Sequence, residues 1–273
     1  MQAVSRRTCR ATAALGATGL ALAISCLPPA AAQSDCASRS TTTRVALIEL
    51  YTSEGCNSCP PADRWISSLP AQGFDADRVV PLGFHVDYWD YLGWRDRFAD
   101  AGFAARQRTQ AARGGARFVY TPQVLFNGAD LGQMFRGAGF EERLARANSR
   151  PAAAELGLAQ RVTVAAVGVE LESRVLESTA RGFSEIYVAL LENNLRSEVR
   201  AGENSGKMLM HDSVVRRMIG PLRADAPGRL RWSGTIALQK DWKRADLGLA
   251  VFAQDSRDGD VLQALFSPLC AKP

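Results

Sequence analysis

The spacing of hydrophobic positions changes near residue 150. Before that point, compact apolar runs alternate with helically spaced ones. Residues 45–51 form an apolar run with β-branched members and predict a buried strand. Ala62, Trp65, Ile66 and Leu69 then recur at helical spacing, predicting a helix over 59–69. Residues 79–85 predict a second buried strand. Residues 97–113, rich in Ala, Arg and Gln, predict a helix ended by Gly114-Gly115. A short strand over 124–126, a hairpin turn at Asn127-Gly128 and a helix over 140–147 follow. This order is that of an α/β unit built on a central sheet.

Beyond Ser149-Arg150-Pro151 the period shortens to two. Val162, Val164 and Val167 alternate in one segment, and Ile186, Val188 and Leu190 in another. Residues 230–238 and 247–252 repeat the pattern between Gly, Asn and Asp clusters, which predicts an antiparallel sandwich-type β unit. The expected organisation is an α/β domain over 33–150 and a β-rich C-terminal domain over 151–273.

The first thirty-two residues stand apart. Arg6, Arg7 and Arg10 precede a stretch of small apolar residues and leucines over 11–27, and Ala30-Ala31-Ala32 supplies a cleavage site before Gln33. That is a secretory signal peptide. Ser5-Arg6-Arg7 partly resembles a twin-arginine signal, but Thr8, Cys9 and Arg10 fit it poorly and favour ordinary secretion. Cys26 could serve as a lipoprotein cysteine, although Ala23-Ile24-Ser25 makes a weak lipobox. No later segment offers the roughly 20 strongly apolar residues of a membrane span. The expectation is an exported protein, periplasmic or secreted, without stable membrane insertion once the leader is gone.

Charge changes with the leader. The chain has 33 basic and 28 acidic residues, net +5. The leader removes three arginines and no acid, leaving 30 against 28, about +2. Such a balance gives no electrostatic footprint for nucleic acid.

Cys36, Cys56, Cys59 and Cys270 remain in the mature chain. An even count in an exported protein points to disulfides. Two cysteines lie three apart and two near the mature termini, so the economical pairing is Cys56 with Cys59 and Cys36 with Cys270, the second as a structural staple. Cys56-Asn57-Ser58-Cys59 follows a predicted strand and opens a predicted helix. There the macrodipole and unpartnered N–H groups favour a thiolate, which nominates Cys56 as the attacking sulfur and Cys59 as its resolver.

The segments Glu49-Leu50-Tyr51-Thr52-Ser53-Glu54-Gly55-Cys56-Asn57-Ser58-Cys59-Pro60-Pro61-Ala62-Asp63, Phe84-His85-Val86-Asp87-Tyr88-Trp89-Asp90-Tyr91-Leu92-Gly93-Trp94 and Tyr120-Thr121-Pro122-Gln123 resemble the DUF1223 family. So does Gly202-Glu203-Asn204-Ser205-Gly206-Lys207, with Leu209, His211, Asp212 and Val214-Val215-Arg216. The resemblance implies an exported protein of undetermined function whose N-terminal domain is thioredoxin-like. It further implies a cis bond at Thr121-Pro122, facing the dithiol and presenting backbone to a substrate peptide. Asn57-Ser58 differs from the Gly-Pro of thioredoxin, so no redox potential carries over.

Four other features bear on chemistry. His85, near Asp87 and Asp90, ends a predicted strand. It is a candidate to protonate a leaving thiolate, bind a metal with the dithiol, orient substrate, or simply hold the aromatic loop of Tyr88, Trp89, Tyr91 and Trp94. Most of those aromatics read as core, with a substrate groove beside the dithiol as the alternative. Glu54 and Asp63 flank the dithiol as candidate proton carriers, although the first-turn dipole is the favoured explanation of Asp63. His211-Asp212 reads as structural, because no nucleophile can be placed beside it.

The leading expectation is a thiol–disulfide oxidoreductase with catalytic Cys56 and Cys59. Its partners would be protein or small-molecule thiols and disulfides, held by Thr121, Pro122 and His85, with no cofactor and no resident metal. The alternatives are copper or other metal handling, and a non-catalytic binding module in which Cys56–Cys59 is a permanent staple.

Overall fold

The computed structural model describes residues 36–132 and 139–270. The leader expected over 1–32, with Cys9 and Cys26, lies outside these residues. The chain opens with β1 (Cys36–Arg39) and the buried strand β2 (Ala46–Thr52), followed by α1 (Pro60–Ser68) and β3 (Val79–His85). Next come α2 (Ala101–Arg113), the hairpin of β4 (Gln123–Phe126) and β5 (Ala129–Asp130), and α3 (Gly139–Asn148). The rest is strand: β6 (Ala154–Val162), β7 (Ala166–Val175), β8 (Ser184–Glu192), β9 (Leu195–Glu198) and β10 (Met208–His211). β11 (Val214–Arg223), β12 (Arg229–Ala237), β13 (Leu247–Asp255) and β14 (Val261–Pro268) complete it.

Eight strands form the main sheet, in the order β14-β13-β8-β11-β3-β2-β4-β5. β2 and β3 are parallel, and β3 is parallel to the start of β11; the other pairs are antiparallel. Strands from both sides of residue 150 therefore share one sheet. The units expected over 33–150 and 151–273 meet at the β3–β11 pair, and all described residues fall in one compact unit. The change in hydrophobic period marks instead the start of a second, four-stranded antiparallel sheet, β1-β6-β7-β12.

Packing explains the layers. Ala46, Ile48 and Leu50 of β2 face Ala62 and Ile66 of α1 and Phe140 and Leu144 of α3. The alternate residues Leu47 and Tyr51 face the side of α2 that carries Phe103 and Ala104. At the other end of the sheet, Ile186, Val188 and Leu190 of β8 pack against Leu156 and Leu158 of β6 and Val167 and Leu171 of β7. That is a sheet-on-sheet sandwich. Tyr187, Ala189 and Leu191 are buried on the opposite face, so β8 is covered on both sides.

Two predicted elements shift. Val162, Val164 and Val167 do not share a strand: the chain turns between β6 and β7, and Val164 at that turn is 78% exposed. The second helix begins at Ala101, not 97, because Asp100 adopts an extended conformation and its side chain accepts from the Gly102 N–H, capping the helix there. The Asn127-Gly128 turn is as expected, both residues having positive φ between paired β4 and β5.

One buried ion pair ties α2 to the sheet. Arg106 donates twice to Glu49, at 2.7 and 2.9 Å, and Tyr51 donates to the same carboxylate at 2.8 Å. The guanidinium also lies over the rings of Tyr187 and Phe252.

Candidate functional site

β2 and β3 end together, with Thr52 paired to His85. Loops leaving the carboxyl ends of parallel strands are where open α/β sheets place their sites. From Thr52 the chain runs through Ser53-Glu54-Gly55 to Cys56, which is disulfide-bonded to Cys59. Both cysteines are buried, at 1% and 0% exposure, while Asn57 and Ser58 between them are exposed. Gly55 lets this loop approach the aromatic loop closely, since a β-carbon there would stand 3.0 Å from Trp89 Cβ.

Cys59 is the N-cap of α1. The spare N–H groups expected to face a thiolate are not free. Pro60 and Pro61 have none, and those of Ala62 and Asp63 both donate to the Cys59 carbonyl. What remains beside Cys56 is the helix dipole and the Ser58 hydroxyl, whose Oγ is 3.3 Å from Cys56 Sγ.

Beneath the loop lies a cluster of buried ionisable groups: Glu54, Asp63, His85, Asp96 and His211. Asp96 Oδ2 is 2.6 Å from His85 Nδ1 and accepts from the Glu54 N–H at 2.9 Å, while its other oxygen accepts from the Phe98 N–H. Glu54 Oε2 accepts from the Trp94 indole at 2.7 Å, and its Oε1 stands 3.3 Å from His211 Nε2. His211 Nδ1 is 4.0 Å from Asp63 Oδ2. The two histidine rings meet edge to face at 4.8 Å, with Phe98 packed against both.

Burial would lower the His85 pKa, but the charge and hydrogen bond of Asp96 outweigh it and hold it above the ordinary value. For Asp96, burial pushes up, and His85 wins in the opposite direction, so its pKa is depressed. Burial likewise pushes Glu54 up, but hydrogen bonding, first from His211, brings it below the usual range. Asp63 goes the other way: burial raises it, and the attraction of His211 and His85 does not offset that. The site thus pairs an Asp96–His85 couple biased toward its ionised form with a carboxyl, Asp63, biased toward holding a proton. Asp63 lies one helical turn beyond Cys59 and is hydrogen-bonded to its carbonyl through the backbone.

Thr121-Pro122 is a cis peptide immediately ahead of β4. Tyr51 pairs with Gln123, so continuing the antiparallel register sets Pro122 and Thr121 against the loop that carries Cys56. Thr121 Oγ1 accepts from the Trp89 indole at 2.7 Å, which joins that edge to the aromatic loop. Cys36 and Cys270 form the second disulfide, away from this cluster: Cys36 opens β1 in the small sheet and Cys270 follows β14. Among the described residues, no group of three or more His, Cys, Asp or Glu side chains converges as a metal-ligand set.

His211, read as structural, belongs to the site. β11 starts beside Gly83 of β3, and the Gly83 N–H donates to the Ser213 carbonyl at 2.7 Å, which delivers the end of β10 to His85. Asp96 and Asn204 were also missed. The Asn204 amide donates to the carbonyls of Glu54 and Cys56 at 2.8 and 2.9 Å. The available signal was scarcity: the chain has two histidines, and each sits within a motif of the family resemblance.

Residues 47–254 match the model of a family described as proteins of unknown function, DUF1223. None of the curated proteins matches the sequence. Among solved structures, HBP35 of Porphyromonas gingivalis is similar with a TM-score of 0.65 at 14% identity, over 84% of this chain and 76% of that one. A structural-genomics target from Agrobacterium tumefaciens is similar with a TM-score of 0.52 at 24% identity, over 86% of this chain and 98% of that one. At these identities the likeness is one of fold.

Proposed function

The chain belongs to the DUF1223 family, and from the site just described we propose that it is a thiol–disulfide oxidoreductase working through Cys56 and Cys59. One observation carries the reading. A disulfide stands at the first turn of a helix, at the carboxyl end of parallel strand β2, above a buried cluster whose carboxylates and histidine have displaced pKa values. Such displacement concentrates at functional sites.

A substrate thiolate attacks Cys56 Sγ, the Cys56–Cys59 bond breaks, and Cys59 leaves as a thiolate that takes a proton. The second substrate thiol gives up its proton and attacks the substrate sulfur of the mixed disulfide, expelling Cys56 as a thiolate that takes a proton in its turn. Two electrons and two protons pass from substrate to protein, and the substrate leaves as a disulfide; the reverse sequence reduces a substrate disulfide. Redox potentials set the direction.

The succession β2, α1, β3, α2, β4–β5, α3 supports a thioredoxin-like reading of this half of the chain. The edge at Thr121-Pro122 is then where a partner's backbone would lie, with His85 supporting the site from below. Two disulfides and the leader expected over 1–32 support export to an oxidising compartment. Among the described residues no helix is long and apolar enough to cross a membrane. Partners would be protein or small-molecule thiols and disulfides.

A second reading has an observation of its own. Both cysteines are buried, as in a permanent staple. Trapping separates the two. With Cys59→Ser, a substrate disulfide or mixed glutathione disulfide should accumulate on Cys56, detected by mass; with Cys56→Ser it should not. Absence of any adduct in the Cys59→Ser protein would favour the staple.

A further inference from the structure

The connection between β9 and β10 touches the dithiol loop at its most reactive point, and the mechanism above leaves it without a role. Its base is closed by backbone bonds from Val199 N–H to the Lys207 carbonyl and from Gly206 N–H to the Val199 carbonyl. Gly202 and Gly206, at φ +72° and +81°, bracket Glu203-Asn204-Ser205. A β-carbon at Gly202 would meet Trp94 Cβ at 3.4 Å, so the turn sits directly against the aromatic loop.

From that seat Asn204, 0% exposed, donates to the carbonyls of Glu54 and Cys56, while Lys207 Nζ donates to its Oδ1 at 2.9 Å. Glu203 accepts from the Asn57 N–H at 3.1 Å. Every residue from Glu54 to Asn57 except Gly55 is thus held through its backbone by the tip of this turn, and Cys56, so held, is 1% exposed. In-line attack on Cys56 Sγ needs a clear approach, and at 1% exposure Cys56 offers none until the loop that carries it moves.

We infer that Asn204 is a positioning residue, and that the turn it heads is a latch over the dithiol which must lift before Cys56 can exchange. This rests on the redox reading and adds its regulation. Exchange is then a product of two factors, the fraction of time the latch is lifted and the intrinsic reactivity of the exposed disulfide. A partner that engages the turn raises the first factor without touching the cysteines.

The test uses the oxidised protein, folded, with a water-soluble phosphine as probe. Phosphine attack on Cys56 Sγ breaks the disulfide and releases Cys59 as a thiolate, which is protonated. Water then releases Cys56 as a thiol and leaves the phosphine oxide. Rates are read by alkylation and mass for Cys56–Cys59 and, in the same sample, for Cys36–Cys270. Asn204→Ala and Asn204→Asp each remove two buried donors, and should speed reduction of Cys56–Cys59 by about tenfold or more. Glu203→Ala, an exposed change that spares the core, should speed it by about twofold to threefold. The Cys36–Cys270 rate should not change. Equal Cys56–Cys59 rates in wild type and all three variants would overturn the latch, and so would parallel acceleration of both disulfides. An equilibrium titration with glutathione reports on the redox reading separately. A pair that never equilibrates with glutathione, yet is unlatched by Asn204→Ala, would sink the redox reading and leave the latch standing.

Discussion

The imidazoles of His85 and His211 meet edge to face at 4.8 Å, one at the end of β3 and the other at the end of β10. The contact puts both histidines of the chain in one buried cluster with Glu54, Asp63 and Asp96, under a disulfide. Burying so many ionisable groups together is costly unless they are mutually paired.

The Asp96–His85 couple predicts a pH signature. His85 has a raised folded-state pKa, so its stabilisation is complete below the unfolded value of about 6.5 and is lost as pH rises through the folded value. Asp96 is depressed, so its contribution is present above about 3.9 and is lost as pH falls through the folded value. Both are present between roughly pH 4 and 6.5. Urea unfolding of wild type and His85→Asn should differ by about 3 kcal/mol in that window, with the gap narrowing at alkaline pH. A gap that widens with pH would mean the couple is assigned wrongly.

Among the described residues, Ser58 is the one side chain hydrogen-bonded to the Cys56 sulfur. In the reduced protein its hydroxyl is placed to donate to the thiolate. Ser58→Ala should therefore shift the half-point of the pH profile for Cys56 alkylation upward. An unchanged profile would leave the helix dipole as the sole stabilising influence.

Glu49→Ala should be the most destabilising single change at the α2 interface. It strands the buried Arg106 guanidinium and removes the acceptor of Tyr51. The expected loss is about 3–5 kcal/mol, measured by chemical unfolding. Converting Arg106 to Met in the same protein should recover much of it, because no unpaired charge then remains.

Cys36–Cys270 closes a sequence separation of 234. In the chain-entropy model its removal by Cys36→Ser with Cys270→Ser costs about 5 kcal/mol, lowering the thermal midpoint. The Cys56–Cys59 exchange rate should stay as it was, since the staple ties β1 of the small sheet to the end of β14, the edge strand of the main sheet, away from the loop that carries Cys56.

Local pattern made the strands and helices around the site legible, the strand over 79–85 to the residue. The second helix was drawn too long because an Ala- and Arg-rich run gave no sign that Asp100 would cap it. The two-residue period of 186–190 was legible, but not that β8 is covered on both faces, which depends on a sheet and a helix packing from opposite sides. At the site, Cys56, Cys59 and His85 were accessible as candidates because strand, turn and helix patterns are local, and Thr121-Pro122 through the family resemblance alone. His211 and Asn204 were not. Their proximity is created by one parallel pairing, Val214 beside Gly83, and by a hairpin folded back on α1, and neither leaves a trace in the spacing of residues.

The most direct test of the account is equilibrium titration of Cys56–Cys59 against reduced and oxidised glutathione, read by mass after alkylation. The account predicts a reversible two-electron transition at a potential within reach of the glutathione couple, roughly −180 to −260 mV, with Cys36–Cys270 remaining oxidised throughout. A Cys56–Cys59 pair still fully oxidised below about −300 mV, where structural disulfides lie, would contradict it.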